Sequence, residues 1–479
     1  MDTRAPKQSG NIALVIDLDG TLLRSDLLLE SLFVLLRRRP LLAFALPLWL
    51  LKGKAAFKAQ IARRVQLDMS TLPWDSRIQT MLKDAEGLRH RVLCTASDRL
   101  LANAAAEHIG QFEEVMASDG ASNLSGRRKA ELLVERFGER GFDYAGNAAI
   151  DLHVWRVARE AIVVNAPTAL AKAAARLTRV SSHLPAQVSL LPQWLRALRV
   201  HQWLKNILVF VPLMASHRLL EPTSISHAAL AFAAFSVCAS GVYLLNDLLD
   251  LASDRQHPRK RTRPFAAGTL SLLHGLLLVP VLTAFAFAVA LWLSPLFAAA
   301  LGTYLLLTLA YSFYLKRIVM MDVMVLAGLY TLRIIAGTIA INAALSFWLL
   351  AFSMFLFLSL AMLKRYAELL TVQAQGDAQT AGRGYEVADL PLVQSLGSAS
   401  GYLAVLVLAL YINSTASEIL YSHPKLLWLL CPILLYWIGR AWMITHRGLM
   451  RDDPVVFAAT DHASQILLIV SALIVAGAI

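Results

Sequence analysis

Three carboxylates lie close together in one short stretch, Tyr243–Pro264, the Asp-rich loop. Asp247, Asp250 and Asp254 follow one another at spacings of three and four residues, so a helix would place them along one stripe with Asn246 beside them. Like charges arranged in this way repel each other, and at the end of a membrane segment they indicate a functional site. Mg²⁺ prefers a few carboxylates together with water and phosphate oxygens, so the sequence predicts that these residues hold Mg²⁺.

The carboxylates are followed by basic residues of the types that bind phosphate: Arg255, Arg259, Lys260, Arg261 and Arg263. Guanidinium groups bind phosphate oxygens through paired hydrogen bonds, and ammonium groups bind them as point charges. We therefore expect a Mg²⁺–diphosphate site at the mouth of a membrane cavity.

The composition indicates an integral membrane protein with room for a soluble domain. The 479 residues are 57% hydrophobic, and the mean hydropathy is +0.55. The net charge of +12 does not predict a nucleic acid partner, because Lys and Arg gather on the cytoplasmic loops of membrane proteins and near anionic lipid headgroups. Cys94, Cys238 and Cys431 show no pairing or metal-ligand spacing, so we expect neither disulfides nor zinc.

Long apolar runs recur from Trp203 onward and predict about nine membrane helices. They are expected near 204–220, 225–247, 268–293, 296–315, 319–341, 344–362, 393–413, 425–445 and 456–478. The N-terminus shows no signal-peptide pattern and is expected in the cytosol, and the loops then predicted to be cytosolic carry most of the Lys and Arg. The sequence thus predicts a multi-pass protein of a bacterial inner membrane, with the Asp-rich loop and the N-terminal domain both on the cytosolic side.

The N-terminal part begins with a predicted buried strand, Asn11–Ile16, that leads directly into Asp17-Leu18-Asp19-Gly20-Thr21. A strand that delivers two carboxylates to a loop can supply a nucleophile and an acid/base group. The motif resembles motif one of the haloacid dehalogenase (HAD) phosphatases. The resemblance implies an α/β Rossmann-like domain with a helical cap at about residues 25–89, in which Asp17 attacks phosphorus and Asp19 transfers protons.

Later residues extend this resemblance. Thr95 matches the phosphate-binding hydroxyl, Lys129 the lysine that steadies the phosphoryl group, and Asp151 a Mg²⁺ ligand alongside Asp17. Asn147 departs from the pattern, because the family usually has Asp there and an amide is a weaker ligand. Within the expected cap, the apolar run Pro40–Leu51 is too short to span a bilayer, so it is either a buried cap helix or a segment lying in the membrane interface.

The membrane part, about residues 195–479, resembles the UbiA superfamily of membrane prenyltransferases. The resemblance rests on RVHQWLKN before the first predicted helix and NDxxDxxxD at the end of the second. In a second polar region, Tyr311 and Lys316 precede Asp322, and Arg333 follows eleven residues later, close to the same helical face. Enzymes of the family that prenylate aromatic acceptors usually carry a repeated Asp motif there, so the lone Asp322 disfavours that reaction.

Two reactions fit a Mg²⁺–diphosphate site beside a lipid. A polyprenyl diphosphate can ionise and alkylate an aromatic acceptor, or 5-phosphoribosyl 1-diphosphate can ionise and be attacked by a polyprenyl phosphate. The membrane part resembles the decaprenyl-phosphate phosphoribosyltransferase branch, which implies the second reaction and gives the fused phosphatase a substrate, the 5-phosphate of the product. Tyr311 and Asp322 are then expected near the sugar or metal. The candidates for phosphate contacts are Lys205, Lys260, Arg261, Arg263, Lys316, Arg333 and Lys364, of which Lys364 suits a membrane anchor equally well.

The sequence therefore predicts a phosphatase domain at 1–180, a linker at 181–195 and a membrane transferase domain at 196–479. Two alternatives stay open at this point: prenylation of an aromatic or other small acceptor from a polyprenyl diphosphate, with a regulatory or inactive N-terminal domain, and a non-enzymatic scaffold suggested by Asn147. A transporter is disfavoured because the charges gather at one membrane face. Asp453-Pro454 predicts only the start of the last helix, with Asp461 two turns inside it.

Overall fold

The computed structural model describes residues 12–186, 189–376, 378, 383–450 and 453–479. It divides into two compact units, of which the first contains the chain up to Leu198 together with Tyr243–Val279. The second contains Arg199–Val242 and Pro280–Ile479. The Asp-rich loop thus belongs to the same unit as the N-terminal sheet.

The first unit is built on a parallel sheet of six strands in the order β3-β2-β1-β4-β5-β6. The strands are β1 (Ala13–Ile16), β2 (Arg91–Asp98), β3 (Glu114–Ser118), β4 (Phe142–Gly146), β5 (Glu160–Val164) and β6 (Arg179–Leu184). The central strand β1 is apolar and buried on both faces: Val15 packs into one hydrophobic cluster and its neighbours Leu14 and Ile16 into another. The strand order reverses between β1 and β4, where doubly wound sheets bind their ligands. The α/β prediction for this part is confirmed at the level of a parallel-sheet domain.

Helices flank the strands and fill the long connection between β1 and β2, where the sequence predicts a cap. They are α1 (Leu27–Arg38), α2 (Leu46–Leu51), α3 (Lys54–Ala62), α4 (Ser76–Asp84), α5 (Arg99–Ile109), α6 (Arg127–Phe137), α7 (Leu152–Trp155), α8 (Thr168–Ala175) and α9 (Leu190–Ala197). Asp26 caps α1 by accepting a hydrogen bond from the backbone N–H of Leu29. In the apolar run Pro40–Leu51, Phe44 is 82% exposed and Leu51 is 84% exposed, so the run is not a buried cap helix.

The rest of the chain is helical. Its helices are α10 (Val211–Ala215), α11 (Pro222–Leu249), α12 (Leu251–Gln256), α13 (Leu272–Leu293), α14 (Pro295–Phe313), α15 (Met321–Ala340), α16 (Phe347–Ala374), α17 (Leu390–Ile412), α18 (Thr415–Leu420), α19 (Leu430–His446), α20 (Pro454–Thr460) and α21 (His462–Ala478). In the described part of the chain, seven helical stretches are long and apolar enough to cross a membrane, and α20 with α21 could form an eighth. This confirms a multi-pass helical membrane domain, whereas the prediction of about nine spans is not confirmed.

Two predicted spans differ from the structure for local reasons. Residues 204–220 do not form one helix, because the chain follows a 3₁₀ segment, Val200–Phe210, and then the short helix α10. Pro212 lies in this stretch and is tolerated only at the start of a helix, since it has no N–H to donate to the preceding turn. The last predicted span is bent by 76°, because Asp461 caps α21 instead of lying inside a longer helix.

Candidate functional site

Asp17 and Asp19 follow the carboxyl end of β1, at the edge where a parallel sheet binds ligands. The Lys129 ammonium, at the start of α6, donates a hydrogen bond of 2.7 Å to Oδ1 of Asp17. Asp19 accepts hydrogen bonds from the backbone N–H of Leu27 at 2.8 Å and from the Ser97 hydroxyl at 2.6 Å. The two carboxylates are therefore held separately, one by an ammonium group and the other by neutral donors.

Thr95, Lys129 and Asp151, the other residues of the HAD resemblance, lie at this edge of the sheet. Thr95 is fully buried near the end of β2, where its hydroxyl accepts a hydrogen bond from the N–H of Ser97 at 3.0 Å. Tyr144 joins the other two residues, because its hydroxyl accepts from Lys129 at 2.9 Å and donates to Asp151 at 3.0 Å. Sequence reasoning missed Tyr144, whose position inside a buried strand gives no sign of a polar role.

Asn147 packs against the loop that carries the two carboxylates. A side chain at Gly20, which has a φ of +79°, would place its Cβ only 2.0 Å from the Asn147 amide nitrogen. The backbone N–H groups of Asn147 and Ala148 donate to Oδ2 of Asp151 at 3.0 and 2.9 Å. The tight turn at Gly20 thus brings Asn147 against the carboxylate loop, and the chain around Asn147 fixes Asp151.

Burial sets the protonation of this site. Burial raises the pKa of Asp17 to about 6, although Lys129 lowers it. Burial, together with the nearby Asp26, raises the pKa of Asp19 to about 7. A carboxyl group that titrates near neutrality can both hold and release a proton, which suits Asp19 for acid/base chemistry. The oxygens of Asp17 and Asp151 are also the kind of ligand that Mg²⁺ takes, so these residues fit that ion.

In the Asp-rich loop, two of the three predicted carboxylates converge. Asp247 and Asp254 are both buried and both accept hydrogen bonds from one Arg263 nitrogen, at 3.1 and 2.6 Å. Asp250 lies between α11 and α12 and instead forms an ion pair of 3.0 Å with Arg37. The predicted single stripe is therefore wrong for Asp250, because the helix is interrupted at that residue.

The other polar residues of the loop have different surroundings. Asn246 is half-buried and accepts the N–H of Asp250 through its backbone carbonyl, whereas Lys260 and Arg261 are exposed in a 3₁₀ turn, Lys260–Thr262. Among the described residues, no group of three or more His, Cys, Asp or Glu side chains converges as a metal-ligand set. Two buried carboxylates still fit Mg²⁺, since this ion is commonly held by one or two carboxylates plus substrate phosphates.

Arg255 does not face the carboxylates of its own loop. It forms a bidentate ion pair with Glu30 of α1, at 2.6 and 3.0 Å, and both side chains are almost fully buried. Its Nε also donates to the backbone carbonyl of Ala266 at 2.9 Å. The prediction that Arg255 suits phosphate is therefore wrong for this arrangement, because each of its three guanidinium nitrogens already donates to a protein oxygen.

In the second unit, two lysines share one carboxylate. Lys205, in the 3₁₀ segment, and Lys364, on α16, donate to the same oxygen of Asp453 at 2.7 and 2.9 Å. Asp453 also caps α20 through the N–H of Val455, as predicted, but its role between two lysines was missed. The Lys205–Asp453–Lys364 cluster carries more positive than negative charge and can bind an anion.

The predicted pairing of Asp322 with Arg333 is not observed. Asp322 lies 2.9 Å from the Arg365 guanidinium and accepts a hydrogen bond of 2.8 Å from the Tyr385 hydroxyl. Arg333 instead donates to Asn206 at 2.8 Å and to the Tyr304 hydroxyl at 3.2 Å. Eleven residues span roughly 16 Å along a helix, so the two side chains share a face but are about three turns apart.

Tyr311 and Lys316 lie at the end of α14 and in the 3₁₀ turn Leu315–Arg317 that follows it. Tyr311 is half-buried and lies within electrostatic range of Arg365 and Asp322. Its expected place near the sugar or metal stays a prediction. Lys316 is half-buried.

An apolar cleft of about 390 Å³ opens in the second unit. Its lining includes Leu204 and Val455, which are close neighbours in sequence of Lys205 and Asp453, together with Leu208, Leu434 and Trp437. The cleft is lined almost entirely by apolar side chains, which suits the hydrocarbon part of a ligand. Two of its lining residues are joined through the backbone to the segments that carry Lys205 and Asp453.

Comparisons with known proteins agree with this membrane architecture. Residues 207–465 match the UbiA prenyltransferase family. An uncharacterized protein of Sinorhizobium fredii, y4nM, is 36% identical over 97% of this chain and 91% of its own length. The nodulation protein NoeC of Azorhizobium caulinodans is 38% identical over 57% of this chain and 89% of its own length.

A decaprenyl-phosphate phosphoribosyltransferase of Mycobacterium tuberculosis is 37% identical over 38% of this chain and 62% of its own length. Among solved structures, a UbiA homolog from Archaeoglobus fulgidus bound to GPP and Mg²⁺ is similar at a TM-score of 0.46 and 16% identity, covering 59% of this chain and 99% of that protein. The family match covers more than half of the chain. The protein is a member of the UbiA prenyltransferase family.

Proposed function

We propose that the membrane domain transfers the 5-phosphoribosyl group of 5-phosphoribosyl 1-diphosphate to a polyprenyl phosphate, with Mg²⁺ as cofactor. The observation that carries this proposal is that the segments bearing Lys205 and Asp453 also line the apolar cleft, through Leu204 and Val455. A polyprenyl phosphate has a long hydrocarbon chain and a compact anionic head, and the cleft and the cluster offer a matching pair of surfaces. The similarity of part of the chain to a decaprenyl-phosphate phosphoribosyltransferase, 37% identical over 38% of the chain, supports the same substrate class.

In this proposal the Asp-rich loop binds the departing diphosphate. Asp247 and Asp254 would hold Mg²⁺, which neutralises charge on the leaving group when it is bound. Arg263 lies beside both carboxylates and would contact the diphosphate oxygens, with Lys260 and Arg261 as exposed cations nearby in sequence. Charge on the leaving group is the main barrier to ionisation at the anomeric carbon, so these residues would act mainly by stabilising it.

The surroundings of Asp322 favour the phosphoribosyl reaction over prenylation of an aromatic acceptor. Asp322 is fully buried, with Arg365 and Tyr385 in contact with its carboxylate. These contacts bring a cation and a hydroxyl to Asp322 but no second carboxylate, whereas Asp247 and Asp254 form a pair at Arg263. Arg333 is buried and donates hydrogen bonds to Asn206 and Tyr304. We propose that it positions the residues beneath the phosphate group. Lys316 and Lys364 would supply positive charge.

We further propose that the N-terminal domain is a phosphatase of the HAD type that removes the 5-phosphate from the lipid product. Asp17 would attack phosphorus, forming a phosphoaspartyl group while the ribose oxygen leaves and takes a proton from Asp19. Water activated by Asp19 would then release inorganic phosphate and regenerate Asp17. Lys129 and Thr95 would bind the phosphoryl oxygens, and Asp151 would hold Mg²⁺ together with Asp17.

The arrangement in the cell follows from the same proposal. The N-terminal domain, about residues 1–180, and the Asp-rich loop would both face the cytosol. The transferase domain, about 196–479, would span the inner membrane. The exposed apolar run Pro40–Leu51 would rest in the membrane interface beside its basic neighbours Arg37, Lys52 and Lys54.

The decisive experiment uses the purified full-length protein with Mg²⁺, a polyprenyl phosphate and sugar-labelled 5-phosphoribosyl 1-diphosphate. We expect label in the lipid phase together with free inorganic phosphate. Label without phosphate would refute the phosphatase role while supporting the transferase. No label in lipid would refute the transferase role, and the same protein would then be assayed with a polyprenyl diphosphate and aromatic acceptors.

A further inference from the structure

We propose that helix α1 couples the two candidate sites of the first unit, with Glu30 as the positioning residue for the Asp-rich loop. The roles of the two sites are those of the proposed function, whereas the contacts that connect the sites do not depend on that function. The Glu30–Arg255 ion pair joins α1 to α12 through two hydrogen bonds of 2.6 and 3.0 Å. The side chains are only 3% and 5% exposed, so water replaces neither partner.

Further contacts hold the loop to the same region. Arg37, near the end of α1, forms an ion pair with Asp250 at 3.0 Å. Just after the loop, Gly268 has a φ of +67°, and a Cβ there would lie 2.9 Å from the backbone carbonyl oxygen of Arg24. The Trp194 ring packs edge-on against Phe265 with centroids 6.2 Å apart. Contacts on both sides of the turn 255–268 thus fix its path.

The other end of the connection is the phosphoryl site. The N–H of Leu27, the first residue of α1, donates to Asp19 at 2.8 Å, and Glu30 follows one turn later. The hydroxyl of Ser25, which precedes α1, also donates to Glu30. Asp19 and Arg255 are therefore linked through the first turn of one helix, with no flexible segment between them.

This geometry has a functional consequence. Arg255 directly follows Asp254 in the chain, and its side chain donates a hydrogen bond to the backbone carbonyl of Ala266. It therefore connects the two sides of the turn that carries Arg263. A group that binds at Asp17 and Asp19 acts on the N-terminus of α1, and Glu30 transmits a displacement of that helix to the turn. Occupancy of the phosphoryl site would then change the affinity of the Asp-rich loop for its ligand, and the reverse holds by thermodynamic linkage.

The first test is hydrogen exchange of the full-length protein in detergent, which requires no substrate. Glu30→Gln should increase amide exchange in residues 250–268, and adding orthovanadate as a phosphoryl-site probe should change exchange there in the wild type but not in Glu30→Gln. Arg38→Gln, an exposed change on the same helix, is the matched control and should behave as the wild type. Unchanged exchange in residues 250–268 of Glu30→Gln would overturn the proposal.

The second test is kinetic. Glu30→Gln should raise the KM for 5-phosphoribosyl 1-diphosphate by about tenfold or more, with a smaller effect on the KM for polyprenyl phosphate. The exchanged pair Glu30→Arg with Arg255→Glu should recover part of this loss, which a general loss of folding would not allow. If the hydrogen-exchange results are as expected but the wild type transfers no ribose to lipid, the coupling through Glu30 is supported and the proposed reaction is refuted. An equal loss for both substrates with no recovery would contradict the positioning role.

Discussion

Asp247 and Asp254 bind the same nitrogen of Arg263, at 3.1 and 2.6 Å. Both carboxylates are 2% exposed, and buried charges of like sign are stable only when an opposite charge lies between them. Arg263 therefore holds together two residues that would otherwise repel each other. The pair, and not the full set of three aspartates, forms the geometric centre of the candidate diphosphate site.

This relationship predicts different effects for neighbouring aspartates. Asp247→Asn removes half of the pair and should reduce transfer to lipid by roughly a hundredfold or more, because stabilisation of the leaving group depends on this charge. Asp250→Asn is the matched variant, and its carboxylate faces Arg37, so its effect should be much smaller. The measurement is labelled ribose in the lipid phase at saturating Mg²⁺. Equal losses in the two variants would show that Asp250 is an equal partner.

The lysine cluster predicts a separate effect on the lipid substrate. Lys205→Gln removes one of the two ammonium groups on Asp453, so the KM for polyprenyl phosphate should rise by about tenfold, corresponding to roughly 1.4 kcal/mol of binding free energy. The KM for 5-phosphoribosyl 1-diphosphate should change less. Lys425→Gln, an exposed change in the same unit, is the control. A rise confined to the KM for 5-phosphoribosyl 1-diphosphate would assign the cluster to the other substrate.

How far the sequence predicts these sites depends on the distance between the residues involved. The carboxylates of Asp17 and Asp19 are predictable because the strand and the loop that position them are adjacent in sequence. The lysine cluster is not predictable in this way, because Lys205, Lys364 and Asp453 lie in three distant segments. Their spacing in the sequence does not indicate that they are in contact. The same holds for Glu30 and Arg255: the sequence does not single out Glu30, and it assigns Arg255 to phosphate and not to a carboxylate far away in the chain.

The bounds of the membrane helices are likewise only partly predictable from the sequence. Mean hydropathy detects the long apolar stretches, but it does not detect interruptions that depend on single residues. Pro212 starts a short helix, and Asp461 caps α21, so neither predicted span forms one straight helix. Asp250 interrupts the carboxylate stripe in a similar way. A continuous apolar stretch is therefore interrupted where a proline or a capping residue ends or starts a helix.

The N-terminal domain predicts a separable phosphatase defect. Asp17→Asn removes the nucleophilic oxygen but keeps a side chain of the same size, so phosphate release should fall below detection while lipid labelling continues. The 5-phosphorylated lipid should accumulate and be visible by mass spectrometry. Asp84→Asn, an exposed aspartate of α4, serves as the control and should release phosphate normally. Unchanged products in Asp17→Asn would mean that the domain has a structural or regulatory role.

Asn147 predicts a gain of metal affinity. Asn147→Asp would add a carboxylate to a residue whose side chain packs against Gly20. The backbone N–H of the same residue donates a hydrogen bond to the Asp151 carboxylate. Carboxylates bind Mg²⁺ more strongly than amides, so the Mg²⁺ concentration for half-maximal phosphate release should fall. Calorimetric Mg²⁺ titration of the Asp247→Asn background would isolate this site from the Asp-rich loop. Weaker Mg²⁺ binding in Asn147→Asp would show that the amide serves a different purpose, such as holding the loop.

Asp75 predicts how the stability of the first unit depends on pH. Its carboxylate is fully buried, and although burial raises its pKa, hydrogen bonds from Arg77, Arg24 and Asn165 lower the pKa well below its usual range. A group whose folded pKa is depressed stabilises the fold above its unfolded pKa, near 4, and this contribution is lost as the pH falls through the folded value. At pH 7, Asp75→Asn should therefore lower the free energy of unfolding by about 2 kcal/mol, since it leaves the partly buried guanidinium groups of Arg24 and Arg77 without their carboxylate. Thermal unfolding of both proteins in detergent from pH 7 to pH 3 measures this difference, which should narrow toward the acid end. A difference that is independent of pH would show that packing, and not the charge of Asp75, stabilises this part of the unit.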